Sequence, residues 1–411
     1  MTRLRSQFVW ILGGRIVAAA LQAGLMLFLA RAVSPAEFGF FAAPYGLATI
    51  IQTAFDLGLP SLAVKLRSRN TRDGRVTNLL LLNSQLSALM AFSMLILTGA
   101  LAMWVNSGYL LLLPLAIWAA AERNADAWLG VALADGDVWV NMCNLVARRL
   151  LGLLAFVGLN AVSTIPPLLA FSIAVALAAV GSNVFAKRFV SRRLPGRAQL
   201  GMVSALRQAW PFWVNSVATQ ARNADTAITA ILSGATQAGL YGAASRLTGP
   251  LRLFATSLAS LLLPAASRSS GAALTRLVRA IVSVIVLSSV GYGLLALVVP
   301  VFLPVVLGRS YTGAVLSIQI ILIGLIFASA TALLEAVLQG INSERFVAVV
   351  STTTSVLALV GVAIGAQSNG ASGAAAGLSA AFAVQAIALI TGLLIIMRRF
   401  DARPSEKGSV V

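Results

Sequence analysis

The chain has 411 residues, of which 59% are hydrophobic and only 10% are charged, and its mean hydropathy is +0.91. Soluble domains carry roughly 25% charged residues, so this composition excludes a soluble globular protein and indicates a membrane protein with several spans. The net charge of +18 would suit a nucleic-acid partner, but basic residues in short loops also set membrane orientation, and that use is favoured. No nucleic-acid partner is predicted.

Twelve segments of the sequence are predicted to cross a membrane, each close to the ~20 apolar residues that a span needs. The loops between them are short, so we expect no extramembrane domain that folds alone. The first span is long enough to remain in the membrane, so no cleaved signal peptide is predicted. The predicted spans are 8–30, 38–60, 77–102, 109–133, 140–161, 167–186, 211–232, 239–262, 279–299, 314–338, 346–366 and 372–396.

The loop charges predict the orientation of the chain. Most loop arginines and lysines fall on one side of the predicted spans, and only Arg31 and Arg309 fall on the other. Because basic loop residues collect on the cytoplasmic side, both termini are predicted to be cytoplasmic. The single cysteine, Cys143, permits no intramolecular disulfide. Histidine is absent, which removes the commonest general base and metal ligand.

The predicted spans divide into two halves of six. The basic segment 187–210 lies midway and is predicted to link an N-terminal lobe, 1–200, to a C-terminal lobe, 201–411. A weak repeat supports duplication, since a short turn, a glycine and then an aromatic residue follow the first span at 34–43 and the seventh at 234–243. Six spans return the chain to the same side, so a pseudo-twofold axis between the lobes would run along the membrane normal.

Several short motifs carry a resemblance to a known family. The run RAVSPAEFG at 31–39 precedes FDLGLP at 55–60, and NAD at 223–225 precedes GLYGAASR at 239–246. This pattern resembles bacterial polysaccharide (O-antigen type) flippases of the multidrug/oligosaccharidyl-lipid/polysaccharide exporter superfamily. The resemblance implies an all-α fold in the bacterial inner membrane, with a central cavity lined by the first two spans of each half. It also implies a lipid-linked oligosaccharide as substrate and polysaccharide polymerase or export machinery as partners.

The same four spans carry stripes of polar and charged residues. Such stripes must face protein or water, because lipid cannot satisfy them. Helix adhesion explains single Ser and Thr residues, whereas a mid-span arginine costs at least ~2.5–3.5 kcal/mol unless a cavity, partner or ligand compensates it. The stripes include Arg15 and Gln22 in the first span, Asp56 in the second, Asn215, Arg222 and Asp225 in the seventh, and Arg246 and Arg252 in the eighth, where Pro250 predicts a kink.

The sign of these charges indicates the substrate class. Four arginines outnumber two aspartates on these spans, and a net-positive cavity favours an anion. Arginine also matches phosphate oxygens through its planar donor fork. We therefore predict that a polyprenyl-pyrophosphate-linked oligosaccharide binds there and is flipped to the outer leaflet by alternating access. The predicted substrate-binding residues are Arg15, Arg222, Arg246, Arg252, Asn215 and Gln22.

The energy source is predicted to be an ion gradient or removal of the product. No Walker-type phosphate-binding run occurs, so ATP hydrolysis is not expected, and no cofactor is predicted beyond a coupled H⁺ or Na⁺. The candidate ion carriers are Asp56, Asp225 and Glu335. The other charged residues of the fourth and fifth spans, Glu122, Arg123, Asp126, Arg148 and Arg149, are predicted to support helix contacts.

Two other functions compete with this prediction. A cation-coupled multidrug exporter of the same superfamily would need an acidic cavity, which Asp225 fits in part and Arg15 opposes. A membrane glycan polymerase or ligase would resemble enzymes with a long external loop containing Arg and His. This chain has short external loops and no His, so it is not predicted to be an enzyme.

Overall fold

The computed structural model describes residues 2–161, 164–196, 198, 201–267, 272–341 and 343–401. Within these ranges the regular structure is helical, with 3₁₀ turns at Ser107–Leu112, Ala221–Ala224, Gly249–Leu251 and Arg309–Ala314. The helices are α1 (Thr2–Ala32), α2 (Pro35–Phe55), α3 (Leu59–Arg69), α4 (Arg75–Trp104), α5 (Pro114–Ala134), α6 (Val138–Asn160), α7 (Pro167–Ser191), α8 (Met202–Gln220), α9 (Asp225–Thr248), α10 (Arg252–Ser267), α11 (Ala272–Leu307), α12 (Val315–Gly340) and α13 (Glu344–Asp401).

Eight helical stretches of the described chain are long and apolar enough to cross a membrane. They comprise α1, α2, α4, α6, α7, α11, α12 with its preceding turn, and α13. Helix α13 contains a break at Asn369 and Gly370, so it covers the last two predicted spans. The remaining predicted spans correspond to α5, which carries three charged residues, and to the interrupted helices α8 to α10.

The seventh and eighth predicted spans are not continuous helices. The turn Ala221–Ala224 separates α8 from α9, and the turn Gly249–Leu251 separates α9 from α10. Helix α9 also breaks at Gly234, whose φ of 81° is the left-handed conformation that glycine adopts at low cost. Pro250 has no N–H and its ring obstructs the preceding turn, which explains the interruption at Gly249–Leu251.

The described chain forms two compact units, Met1–Ala227 and Ile228–Val411. The lobe boundary predicted from the sequence was at residue 200, in the basic linker. Helix α8 follows that linker but packs on α2 and α3, so it groups with the first unit. The chain between 201 and 227 is therefore held by contacts that the linker composition does not reveal.

The junction between α2 and α3 shows how α8 is held. Leu57 and Gly58 both have positive φ, at 49° and 74°. A Cβ atom at Gly58 would lie 2.5 Å from the carbonyl oxygen of Ala209 and 2.8 Å from the backbone nitrogen of Trp213. Glycine is therefore required at position 58 for two reasons, the positive φ of the turn and the close approach of α8.

In the second unit, α12 packs against the two halves of α13. Those halves contact each other through paired glycines, because a Cβ at Gly377 would lie 2.0 Å from the Gly361 carbonyl oxygen and one at Gly365 would lie 2.0 Å from that of Gly373. Small residues spaced by four positions let membrane helices approach to backbone contact, where van der Waals packing stabilises them. The two halves of α13 therefore form a closely packed hairpin.

Replacing Gly58 with Ala is expected to destabilise the protein by more than about 1 kcal/mol, because Ala is disfavoured at positive φ and would clash with α8. The melting temperature of the detergent-solubilised protein measures this loss. Gly99→Ala is the control, since no atom lies within 4 Å of its Cβ position in α4. Equal melting temperatures for the two variants would contradict the assignment.

Candidate functional site

Hydrogen bonds in the first unit join the polar faces of α1, α2 and the α8–α9 junction. Gln22 Nε2 on α1 donates to the hydroxyl of Tyr45 on α2 at 3.5 Å. One turn along α2, Thr49 Oγ1 accepts a bond from Asn223 Nδ2 at 3.1 Å, and that amide also donates to Gln220 Oε1 at 2.7 Å. These five residues are called the polar seam below. They bring together the predicted first, second and seventh spans.

The α1 side of the polar seam has unused hydrogen-bonding capacity. The Oε1 atom of Gln22 is buried and accepts no hydrogen bond. Leaving such an acceptor unpaired costs about 1–3 kcal/mol, so a donor from water or a ligand would stabilise it. Arg15 lies on the same helical face, seven residues earlier, and its side chain is exposed. No carboxylate in the described parts of the chain forms an ion pair with it.

Arg222 lies directly beside the polar seam. It occupies the turn Ala221–Ala224, next to Asn223, and its side chain is half-buried. Asp225 begins α9, and its Oδ1 accepts bonds from the Thr226 N–H at 2.5 Å and the Thr226 hydroxyl at 3.0 Å. A carboxylate at a helix N-terminus is stabilised by the positive end of the helix dipole. The predicted ligand Asn215 belongs to α8, but its side chain lies outside the described residues.

Asp56 points away from the polar seam. Asp56 is 3% exposed, and its carboxylate is ion-paired with Arg123 on α5. Its Oδ1 also accepts a hydrogen bond from the Gly58 N–H at 2.8 Å. Gln52, one turn earlier, also faces α5 and donates to the Ala119 carbonyl oxygen at 2.8 Å. Gln52 and Asp56 therefore hold the C-terminal end of α2 against α5. These contacts indicate that Asp56 stabilises the packing of α2 against α5, and they argue against its binding and releasing a coupled ion.

The remaining charges of α5 and α6 form a second network. Arg149 donates to Glu122 Oε1 at 2.6 Å, and Glu122 Oε2 accepts a bond from Trp118 Nε1 at 2.6 Å. Arg148 donates to Asp126 Oδ1 at 2.9 Å. Each charge in this network has an opposite charge on the neighbouring helix. The contacts agree with the predicted role in joining helices.

Two predicted site arginines belong to the second unit. Arg252 is the first residue of α10, directly after the turn Gly249–Leu251, and its guanidinium carbon lies 5.1 Å from the ring centroid of Phe382 in α13. A guanidinium over an aromatic face gains roughly 0.5–1 kcal/mol at an exposed site. Arg246 is half-buried in the last turn of α9. Arg222 and Arg252 thus both sit at helix interruptions, one in each unit.

Glu335 on α12 is part of a hydrogen-bonded triad with both halves of α13. Its Oε1 accepts bonds from Ser351 Oγ at 2.5 Å and from Gln385 Nε2 at 2.7 Å. Gln385, which is 4% exposed, also donates to the Ser351 hydroxyl at 3.2 Å. Within the described part of the second unit, no basic side chain forms an ion pair with Glu335. Its two partners are neutral, unlike those of Asp56 and Glu122.

Sequence reasoning did not single out the partners that complete these groups. Gln385 is an isolated polar residue in apolar surroundings, and that isolation was the available signal, whereas Gln220 and Ser351 lie among other polar residues. No three His, Cys, Asp or Glu side chains cluster as metal ligands in the searched, described portion of the chain. What the first unit offers is a set of amide and guanidinium donors, which can bind an anion or a polar glycan.

Comparisons with known proteins agree with the fold. Residues 4–121 match the model of a family described as "Polysaccharide biosynthesis protein". An inward-facing multidrug resistance MATE family transporter of the MOP superfamily is similar with a TM-score of 0.70 at 15% identity, over 96% of each chain. Lipid II flippase MurJ, in an inward closed conformation, is similar with a TM-score of 0.71 at 12% identity, over 94% of this chain and 87% of that one.

A third similar structure is a MOP superfamily transporter from Pyrococcus furiosus, described as having a binding pocket of reverse polarity. Its TM-score is 0.58 at 14% identity, over 98% of this chain and 95% of that one. No curated protein matches the chain. Together these findings confirm the predicted all-helical fold of MOP-superfamily transporters and the predicted resemblance to polysaccharide biosynthesis proteins.

Removing one member of the Asp56–Arg123 pair is expected to destabilise the protein. Asp56→Ala leaves the Arg123 charge without its carboxylate, which costs about 3–5 kcal/mol at a buried site. The double variant Asp56→Ala/Arg123→Ala should recover much of that loss, and melting temperatures of the three variants give the coupling free energy.

The control for this cycle is Asp137→Ala, because Asp137 and Arg193 form a pair whose side chains are 30% and 46% exposed. Exposed pairs contribute only about 0–1 kcal/mol. If Asp56→Ala melts like Asp137→Ala, the structural role of Asp56 is refuted.

Proposed function

We propose that this chain is a MOP-superfamily flippase that moves a polyprenyl-pyrophosphate-linked oligosaccharide from the cytoplasmic to the outer leaflet of a bacterial inner membrane. The fold and the family match over residues 4–121 support a place in polysaccharide biosynthesis. The observation that carries the proposal is the position of Arg222, at a helix interruption beside the polar seam.

The charge of the candidate site supports an anionic substrate. Arg123 on α5 forms an ion pair with Asp56, so Asp56 no longer adds negative charge to the candidate site. Of the candidate site residues in the first unit, Arg15 and Arg222 are basic and Asp225, which occupies the N-terminus of α9, is acidic. Their net charge is positive. A site with this charge attracts a diphosphate and repels an organic cation.

The chemistry of a lipid-linked oligosaccharide matches these groups. Its pyrophosphate carries the charge, and arginine donors bind phosphate oxygens in pairs. Its sugars need neutral hydrogen-bonding partners, which Gln22 and the other amides of the polar seam provide. We propose that Arg15 and Arg222 bind the pyrophosphate, and we keep Arg246, Arg252 and Asn215 as predicted further contacts of the substrate. Alternating access would then expose the bound substrate to either leaflet in turn.

The direction of transport follows from the proposed orientation. The loop charges favour cytoplasmic termini, and the cytoplasm is where a lipid-linked sugar is assembled before export. The partners of the transporter are then the lipid-linked oligosaccharide, the surrounding membrane lipids, and the polymerase or export machinery that consumes the product. We propose that the chain performs no covalent step itself.

Glu335 is the group that we propose for coupling to an ion gradient. An ionised carboxylate within a membrane helix is costly unless a positive charge accompanies it. Neutral Ser351 and Gln385 give hydrogen bonds but no charge, so a bound proton or Na⁺ would complete this group. Asp225 is a weaker candidate because the N-terminus of α9 already stabilises its charge. Asp56 is the weakest, because Arg123 compensates it.

The multidrug exporter is the main alternative. Structures described as multidrug resistance transporters share this fold at 15% identity, so the fold does not choose between the two functions. The protein from Pyrococcus furiosus, with its pocket of reverse polarity, is a reminder that pocket charge differs among proteins of this fold. The arginines favour the anionic substrate here. A drug-resistance assay in an expressing strain separates the two functions.

Arg222→Ala is expected to lower the rate of flipping by at least about tenfold, because it removes a charge-assisted contact to phosphate worth more than 1.4 kcal/mol. The measurement is leaflet exchange of a labelled polyprenyl-pyrophosphate oligosaccharide in liposomes. Arg276→Ala is the control, because Arg276 is an exposed arginine of α11 outside the candidate site. Normal exchange by folded Arg222→Ala protein would rule out this site.

Glu335→Gln is expected to abolish the dependence of flipping on an imposed H⁺ or Na⁺ gradient while leaving some exchange without a gradient. The amide keeps an oxygen that can accept the bonds of Ser351 and Gln385 but cannot ionise. Glu344→Gln, at the exposed start of α13, is the matched control. Unchanged gradient dependence in Glu335→Gln would exclude Glu335 as the coupling group.

A further inference from the structure

The turn that precedes Arg252 is bound to two neighbouring helices of the second unit. The Leu251 carbonyl oxygen, at the end of the turn Gly249–Leu251, accepts a hydrogen bond from the hydroxyl of Tyr292 on α11 at 3.3 Å. That hydroxyl also pairs with Ser329 Oγ on α12 at 3.1 Å. A tyrosine hydroxyl donates one proton and also accepts, so it makes both bonds at once. Tyr292 and Ser329 are 6% and 3% exposed, so the backbone at Arg252 is attached to two buried side chains.

The side chain of Arg252 is held separately from its backbone. Its guanidinium carbon lies over the ring of Phe382 on α13, 5.1 Å from the ring centroid. Phe382 is 5% exposed, so its ring offers a fixed surface, whereas Arg252 is exposed. A cation over an aromatic ring is attracted by the negative face of the ring, and this contact uses none of the N–H donors of the guanidinium.

We propose that Tyr292 and Phe382 are positioning residues for Arg252 in the binding of the substrate pyrophosphate, an inference that rests on the proposed function. Neither residue would touch the substrate. Tyr292 fixes the start of α10 and Phe382 fixes the far end of the arginine side chain, so Arg252 is ordered before an anion arrives. A side chain that is already ordered loses less rotamer freedom on binding, and this preorganisation raises the affinity.

Helix packing alone does not account for this arrangement. If Arg252 only joined α10 to α13, an apolar side chain would cover the Phe382 ring without the cost of a charge within the eighth predicted span. The contact with the ring holds the charged end of the side chain in place while leaving its donor edge to phosphate oxygens, which arginine binds in pairs. The geometry therefore suits a guanidinium that is presented to an anion.

Binding of polyprenyl pyrophosphate to the full-length, detergent-solubilised protein tests this inference without measuring transport. The probe carries the anion but no sugar, and isothermal titration calorimetry gives its Kd. Arg252→Ala is expected to raise the Kd about tenfold. Phe382→Leu and Tyr292→Phe are expected to raise it about threefold each, because the arginine stays but is less ordered. In the Arg252→Ala background neither substitution should raise the Kd further, since both act through the arginine.

Two variants outside the candidate site are matched controls. Phe346→Leu makes the same replacement in the first half of α13, and Tyr109→Phe removes a tyrosine hydroxyl in the first unit. Both should leave the Kd unchanged. Melting temperatures establish which variants fold. If Phe382→Leu does not fold, Tyr292→Phe, which removes a single oxygen atom, supplies the comparison with and without the arginine.

The outcomes separate this inference from the proposed function. An unchanged Kd in Arg252→Ala would overturn the positioning role and leave flipping through Arg15 and Arg222 intact. Equal weakening by Phe382→Leu with and without Arg252 would also overturn it, because the ring would then act independently of the arginine. Weakening that requires Arg252, in a protein that does not exchange lipid-linked oligosaccharide between leaflets, would refute the flippase and support the positioning role.

Discussion

The cost of a charged group inside a membrane determines how this protein is arranged. A guanidinium in the bilayer interior must have a carboxylate, a polar cavity or a ligand, because lipid supplies neither charge nor hydrogen bonds. The chain uses the first solution on α5 and α6, where Arg123 pairs with Asp56 and Arg149 pairs with Glu122. Those charges are balanced locally. They hold helices together and are not available to a substrate.

The arginines proposed to bind substrate have a different setting. Arg222 lies within a 3₁₀ turn and Arg252 follows another, so both occur where the helix is interrupted. An interrupted helix leaves backbone groups without their usual partners, which is tolerated at membrane depth only beside protein or water. At Arg222 and at Arg252, both the interrupted backbone and the charged side chain therefore need protein or water beside them. At Arg222, which adjoins the polar seam, this coincidence is the observation on which the proposed anion-binding site rests.

The carboxylates show why residue type and spacing were not sufficient to assign roles. Asp56, Asp225 and Glu335 are equivalent in the sequence as lone acids in or beside apolar segments. In the structure Asp56 meets Arg123, Asp225 meets the N-terminus of α9, and Glu335 meets neutral Ser351. Each partner is distant in sequence or depends on where a helix begins. Only packing decides which carboxylate keeps an uncompensated charge, and hence which one suits ion coupling.

The sequence by itself determined the class of protein, the approximate helix positions and the kink at Pro250. Hydrophobic length and proline chemistry are local properties, so they can be seen in a single chain. Tertiary structure decided that Arg123 takes Asp56 out of the site and that α8 groups with the first unit. These features depend on which helix faces meet, and the residue spacing within one segment does not show which distant segment it will contact.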